Sequence, residues 1–219
     1  MIVNPVNYSE DEQDIIDSLL DSEGFNSNSW GEKEIEALKS DIKQHYIREQ
    51  NYRCCYCQQP LYAHHGRVWD IEHVISRAVR PDFMFTPQNL AVACVECNGA
   101  KGAVPVSNAK RKSFPDRGGL YKIVHPHFHN WEDHIELEGE WTYHALTEEG
   151  KFTIYHCDLF RFRQRLIGIK QPIRDRRFER DISELRMTKS LKEARPIIAS
   201  IMSRLEIEDE HQQVTNVNA

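Results

Sequence analysis

The sequence lacks any apolar run that approaches the roughly 18 residues needed to cross a membrane. Its amino-terminal segment also lacks the basic and then apolar stretches that are typical of a signal peptide. Internal repeats and low-complexity tracts are absent as well. These absences predict a cytoplasmic protein without a membrane partner. Its 219 residues are enough for one large domain, or for a small domain with appendages.

A net positive charge is also absent, because 28 Lys and Arg residues are outnumbered by 34 Asp and Glu residues. Nucleic-acid-binding proteins are often basic overall, so the formal net charge of -6 counts mildly against that class. The charges are unevenly distributed, however, with an acidic surplus in residues 9–41 and a basic surplus in residues 161–180. The basic stretch could follow a phosphate backbone, or it could be a solvated helical face paired with the acidic helices.

Cysteines are few, but four of the six form two CxxC pairs. In a reducing compartment this spacing is typical of metal binding rather than of a disulfide framework. We therefore expect one structural zinc ion bound by all four paired residues. These are Cys54, Cys57, Cys94 and Cys97. Cys55 is predicted to be a bystander within the first pair, and Cys157 stands alone as a predicted buried residue.

Acidic, histidine and asparagine residues lie between and just after the cysteine pairs. Hydrolysis of a phosphodiester needs a base that activates water and a cation that neutralises charge at the phosphate. His73, at the end of a predicted strand, is a candidate base. Glu72 and the side-chain carbonyl of Asn98 fit the oxygen ligand set of a hard cation such as Mg²⁺. Asn89 could hydrogen-bond across the intervening loop and orient the histidine.

Two cationic side chains are candidates for contact with a substrate phosphate. Lys101 follows Asn98 by about one helical turn and would point the same way, although a solvated lysine explains it equally well. Arg77 is the weaker candidate, and a solvated surface arginine is the favoured interpretation.

Hydrophobic periodicity predicts a mixture of helices and strands. Ser9 and Glu12 form a capping-box pattern for a first helix that ends near Gly24. Further helices are predicted at residues 33–48, from about 95, at 174–186 and at 190–204. Strands are predicted at residues 68–74, 90–93, 135–137, 141–146 and 152–157, with turns at 64–66, 138–139 and 149–150. A loop at 108–119 and a polar tail from 206 complete the prediction.

Histidines are concentrated between His125 and His134. His125, His127 and His129 alternate, so on a strand they would share one face and could bind a second metal ion. The favoured interpretation is a strand and turn with surface histidines. Contact with substrate near the catalytic cation is a third possibility.

The order of these motifs resembles the HNH endonuclease family, the zinc-bearing branch of the ββα-metal (His-Me finger) nucleases. The resemblance covers residues 52–102 and rests on CxxC, Glu-His, Asn-Leu and CxxC-Asn-x-x-Lys in that order. It implies that His73 is the general base, Glu72 the metal-binding acid, Asn89 the middle asparagine and Asn98 the final position. It also implies that the four paired cysteines bind a structural zinc ion.

Two departures from the family pattern affect the expected site. The acid before the histidine is more usually Asp, and here it is Glu72, so Asp70 on the same strand face could be an additional or substitute ligand. The family often has proline three residues after the histidine, where this chain has Ser76. The path of the loop that leaves His73 is therefore less constrained.

The resemblance implies an α+β fold with a zinc-stapled ββα-metal core at residues 51–107. N-terminal helices at 1–50 and a strand-and-helix extension at 108–219 would flank this core. The implied activity is Mg²⁺- or Mn²⁺-dependent hydrolysis of DNA, leaving 5′-phosphate and 3′-hydroxyl ends. The family also suggests a nuclease of anti-phage defence or restriction, with an ATPase or other regulatory subunit as partner. The alternatives are a ribonuclease that acts on structured RNA, and a non-catalytic zinc module that binds nucleic acid or a protein.

Overall fold

A two-stranded antiparallel sheet lies at the centre of the fold in this computed structural model, which describes residues 1–61, 68–107, 112–162 and 176–202. Strand β1 is Trp69–His73 and strand β2 is Leu90–Cys94. Trp69 pairs with Cys94 at one end of the ladder, and His73 pairs with Leu90 at the other. Every residue of β2 is buried, which explains its uninterrupted apolar sequence.

Helix α1 is Glu10–Leu20, and it begins with the predicted capping box between Ser9 and Glu12. It ends four residues before Gly24, so the predicted end of this helix was too late. Helix α2 is Glu36–Glu49 and packs against both β1 and β2. Its Ile42 and Tyr46 side chains are fully buried, as expected for a helix that supports the cysteine-rich segment.

Helix α3 is Val95–Lys101 and follows β2 without an intervening loop. Cys94 caps its first turn, because the Cys94 side chain accepts a hydrogen bond from the backbone N–H of Cys97. The helix ends at Gly102, whose φ of 50° lies in the left-handed region that favours glycine. The predicted helix that carries Asn98 and Lys101 is confirmed.

A second strand pair and the remaining helices follow. Strand β3 is Ile135–Glu138, strand β4 is Thr142–Ala145, helix α4 is Glu148–His156 and helix α5 is Arg176–Met187. A further helical segment covers residues 191–202. Strands β3 and β4 pair antiparallel, with Ile135 opposite Ala145. The two predicted closing helices are confirmed within the described residues.

The predicted strand at residues 152–157 is wrong, because this segment belongs to helix α4. Thr147 caps the helix by accepting a hydrogen bond from the N–H of Gly150 at 3.1 Å. The predicted turn at residues 149–150 is wrong for the same reason. Gly150 is needed for close packing instead, since a Cβ atom there would lie 1.9 Å from the carbonyl oxygen of His134.

One hydrophobic cluster takes side chains from Ile2 to Phe162, and thus from all three predicted regions of the chain. No helix among the described residues has the length and apolarity to span a membrane. The predicted turn at 64–66, most of the basic stretch at 161–180 and the polar tail from 206 lie outside the described residues.

Candidate active site and metal centre

The four paired cysteines come together in a buried cluster. The ligand atoms of Cys54, Cys57, Cys94 and Cys97 all lie within 4.8 Å of one another. A tetrahedral zinc site with Zn–S bonds of about 2.3 Å places its sulfurs about 3.8 Å apart, so this cluster fits a structural metal ion such as zinc. It is the one group of three or more His, Cys, Asp or Glu ligand atoms in the described part of the chain. Cys55 and Cys157 are buried outside it.

Several hydrogen-bond donors surround these sulfurs. The backbone N–H of Cys94 donates to Sγ of Cys54 at 3.3 Å, and that of Cys97 donates to Sγ of Cys94 at 3.3 Å. The guanidinium of Arg161, 8% exposed, lies 3.1 Å from Sγ of Cys97 and 3.5 Å from Sγ of Cys94. Metal-bound cysteines are thiolates, and a buried cation beside them stabilises their negative charge. The donor set therefore fits four thiolates around one metal ion.

His73 ends strand β1 with its side chain buried. Its Nε2 atom lies 3.1 Å from the carbonyl oxygen of Met84, which can only accept, so Nε2 carries the proton. The indole of Trp30 packs edge-on against the imidazole at 4.6 Å between ring centres. Burial, together with the nearby positive charges of Arg77 and Lys101, lowers the pKa of His73 to about 3. The ring is therefore neutral at pH 7, with the lone pair on Nδ1.

Asn89 is fully buried and ties together the loop between β1 and β2. Its Oδ1 accepts from the N–H of Ile75 at 2.7 Å, and its Nδ2 donates to the carbonyls of Ile75 and Phe83, both at 3.0 Å. Phe83 immediately precedes Met84, whose carbonyl receives the His73 proton. Asn89 thus crosses the loop as expected, and it acts on the imidazole through the loop backbone rather than by contact.

Glu72 and Lys101 form a buried ion pair. Lys101 Nζ lies 2.7 Å from Oε1 of Glu72, and both side chains are 1% exposed. Tyr56 donates its hydroxyl to the same oxygen at 2.8 Å, and Lys101 also donates to the carbonyl of His73 at 3.2 Å. Burial raises the pKa of Glu72, while Lys101 and Tyr56 partly offset that effect. Lys101 is therefore not a solvated lysine, and its ammonium pairs with the carboxylate of Glu72.

Asp70 is the acidic residue that contacts Asn98. Asn98 Nδ2 donates to Oδ2 of Asp70 at 2.8 Å, which places the acid predicted as an additional or substitute ligand directly beside Asn98. Asp70 is also more exposed than Glu72. Carboxylate and amide oxygens are the donors that Mg²⁺ and Mn²⁺ prefer, and Asp70, Glu72 and Asn98 supply them around one space.

That space is a cavity of about 890 Å³. The predicted site residues that line it are Asp70, Glu72, His73, Arg77, Asn98 and Lys101. Arg77 is not a solvated surface side chain, because its guanidinium donates to the carbonyl of Ser27. Asn89 lies behind the cavity wall, in the supporting role described above.

Sequence reasoning missed several residues of this region. Trp30, which covers His73, and Tyr56, which bonds Glu72, carry no motif that marks them. The contact of Arg161 with the cysteines joins positions 64 residues apart and has no local signal. Lys39 and Lys43 of α2 also line the cavity, and their spacing of four residues on one helix face was the one available clue.

The histidine cluster differs from its prediction. His125 and His127 are buried in a turn region, so the predicted strand with surface histidines is wrong. His127 donates from Nε2 to the carbonyl of Leu90 at 2.7 Å, and His125 stacks on Phe128 with ring centres 4.4 Å apart. The segment packs beneath β2, which periodicity alone could not show. The histidines form no three-ligand metal group within the described residues.

Comparisons with protein-family models, with curated proteins and with solved structures find no match to this chain.

Proposed function

We propose that this protein is a metal-dependent endonuclease that hydrolyses phosphodiester bonds in DNA. One observation carries the proposal: a buried histidine of fixed tautomer lines the same cavity as three oxygen-donor side chains. The histidine is His73, and the oxygen donors are Asp70, Glu72 and Asn98. A base next to a cation-binding group is the combination that this hydrolysis requires. DNA is the proposed substrate because residues 52–102 resemble the HNH endonucleases.

In the proposed reaction, Nδ1 of His73 takes a proton from a water molecule in the cavity. The hydroxide attacks phosphorus, the bond from phosphorus to the 3′ oxygen breaks, and the leaving oxygen takes a proton from solvent water to become the 3′-hydroxyl. A pKa near 3 makes the free imidazole a weak base. The negative phosphate brought beside the ring raises that pKa, because an opposite charge stabilises the imidazolium. A divalent cation held by the neighbouring Glu72 would act in the opposite direction, so the balance of these two charges sets the strength of His73 as a base.

The oxygen donors would hold a divalent cation such as Mg²⁺ or Mn²⁺, which supplies charge neutralisation at the scissile phosphate. Tyr56 and Lys101 both contact Oε1 of Glu72, so Oε2 is the oxygen that would bind a cation. Asn98 donates through Nδ2, which leaves its carbonyl oxygen for the same purpose. Asp70 would be the additional ligand.

We also propose that the cysteine cluster binds zinc as a structural ion. Its support is the buried four-sulfur set with backbone and guanidinium donors directed at the sulfurs. Cys94 is the last residue of β2 and the cap of α3, so a metal ion there would tie the sheet to the helix that carries Asn98.

The test is cleavage of supercoiled plasmid by the wild type and by His73→Ala, with Mg²⁺, with Mn²⁺ or with EDTA. His144→Ala is the matched control, because His144 lies on β4 outside the cavity. Zinc content is measured after the EDTA treatment, so that loss of the structural ion is not mistaken for loss of the catalytic one. We expect cation-dependent cleavage by the wild type and by His144→Ala only. Cleavage by His73→Ala at the wild-type rate would refute the assigned base.

Parallel digestion of DNA and structured RNA decides the substrate. Cleavage of RNA alone would replace the proposed deoxyribonuclease by a ribonuclease with the same site. Nucleic-acid binding that survives loss of His73, without turnover of either polymer under any cation, would indicate the non-catalytic module instead.

A further inference from the structure

Helix α2 forms one wall of the cavity that the proposed nuclease residues also line. Lys39, Ser40, Lys43 and Gln44 line this cavity together with Asp70 and Asn98. These four positions fall within two turns of one helix, and Lys39 and Lys43 are one turn apart on the same face. The wall lies outside residues 52–102, so the family resemblance does not account for it.

Lys43 lies within electrostatic reach of the proposed cation-binding residues. Asp70 is among the charged groups that act on its ammonium. Lys43 is partly buried on α2, so much of its stem packs on the protein while its charge stays at the cavity. A cation at this position is expected to attract phosphates that neighbour the one held at the proposed cation site.

Lys39 is held at the same wall by two contacts. Its Nζ donates to the carbonyl of Trp30 at 3.0 Å and pairs with Glu36 at 2.5 Å. The Glu36 side chain is 64% exposed, and an ion pair with such an exposed partner is weak because water screens it. A substrate phosphate can therefore replace the Glu36 carboxylate while the Trp30 carbonyl keeps the ammonium in place.

The cavity has room for more than a single phosphate. Its volume of about 890 Å³ lies near the upper end of the roughly 300–1,000 Å³ found for small-ligand sites. The α2 wall carries the two lysines and one acid, Glu36, and an oxygen-rich cation site lies opposite it. This arrangement suits a chain of phosphates better than a compact neutral ligand. Trp30 also lines this space and offers an aromatic surface beside Lys39.

We propose that helix α2 is a phosphate-backbone contact surface, in which Lys39 and Lys43 bind phosphates next to the one that is cleaved. This inference rests on the proposed nuclease function. It adds to that function a substrate-binding surface supplied by the N-terminal region.

The test measures nucleic-acid binding rather than cleavage. A fluorescent DNA duplex is titrated with His73→Ala protein that also carries Lys39→Gln, Lys43→Gln, both changes or neither, at several salt concentrations. Lys33→Gln is the matched control, because Lys33 is exposed just before α2 and lies outside the cavity. Zinc content and circular dichroism confirm that each variant is folded.

Each lost phosphate contact lowers the slope of log K against log [salt] by about 0.9, which is about a fivefold loss of affinity at 0.15 M salt. We expect this loss for each cavity lysine, about 25-fold for the double variant, and no change for Lys33→Gln. Unchanged slopes for the cavity lysines, an equal loss for Lys33→Gln, or no binding by the parent protein would each overturn the inference. The expected slopes without cleavage by the wild type under any cation would instead refute the proposed nuclease and leave the contact surface standing.

Discussion

Removal of Lys101 tests whether the ion pair behind the candidate site is as buried as the structure shows. Lys101 Nζ lies 2.7 Å from Glu72, and both side chains are 1% exposed. Lys101→Met keeps most of the side-chain volume but leaves the Glu72 carboxylate buried with only the Tyr56 hydroxyl as a partner. Loss of one partner of a buried pair costs about 3–5 kcal/mol, whereas neutralising both partners is often nearly free. We therefore expect Lys101→Met to unfold far more readily than the Lys101→Met/Glu72→Gln double variant.

The assay is urea denaturation at pH 7, followed by circular dichroism with zinc held at a constant excess. The expected loss is a large share of the roughly 5–15 kcal/mol by which a domain is stable. The slope of the unfolding free energy against urea concentration should be the same for wild type and variant, which shows that both expose the same surface on unfolding. A loss below about 1 kcal/mol for Lys101→Met would mean that the pair is solvated, and would refute this reasoning. The result also matters for activity, because an inactive Glu72 variant cannot be assigned to cation binding until its folding is known.

Three further predictions concern the loop, the cysteines and acid stability. Asn89→Ala leaves the buried N–H and carbonyl of Ile75 without their partner and removes one of two hydrogen bonds to the Phe83 carbonyl, so we expect a loss of about 3 kcal/mol and a lower melting temperature. Cys54→Ser should lower bound zinc from one ion per chain, measured by atomic emission, whereas the buried Cys157→Ser should retain it. Burial lowers the pKa of His127 to about 4 and that of His125 well below its usual range. The unfolded chain therefore takes up protons that the folded chain excludes, and stability should fall as the pH drops below about 6.5. We expect about 2 kcal/mol less per histidine at pH 5 than at pH 7 in urea titrations, and a flat profile would contradict the burial of these rings.

Local signals located the centre of the fold. CxxC spacing identified the four cysteines because a two-residue gap places both sulfurs of a pair within reach of one ion. The strands at 68–74 and 90–93 and the helix after Val95 are confirmed, and a short apolar run was the signal for the second strand. These elements bring His73 and Asn98 to one cavity, although the two residues lie 25 positions apart in the sequence.

Contacts between distant segments could not be predicted in the same way. The strand expected at 152–157 failed because a helix cap at Thr147 and the packing of Gly150 against His134 outweigh local alternation. The histidines near 125 were placed on the surface because nothing in their own segment shows that it packs beneath β2. The contact of Asn98 with Asp70 was missed because both Asp70 and Glu72 satisfy the same strand-face rule.

The ladder between β1 and β2 joins the cysteine cluster to the candidate base, His73. Cys94 lies at one end of it and the partner of His73 at the other, about 13 Å apart along a strand that rises about 3.3 Å per residue. A slip of one residue in this pairing would turn every side chain of β2 to the opposite face. Cys94 and its partner cysteines hold the end of this ladder that lies opposite the histidine. If the cluster binds zinc as proposed, removal of the metal is expected to loosen the register that positions His73 as well as the cysteine-rich segment itself.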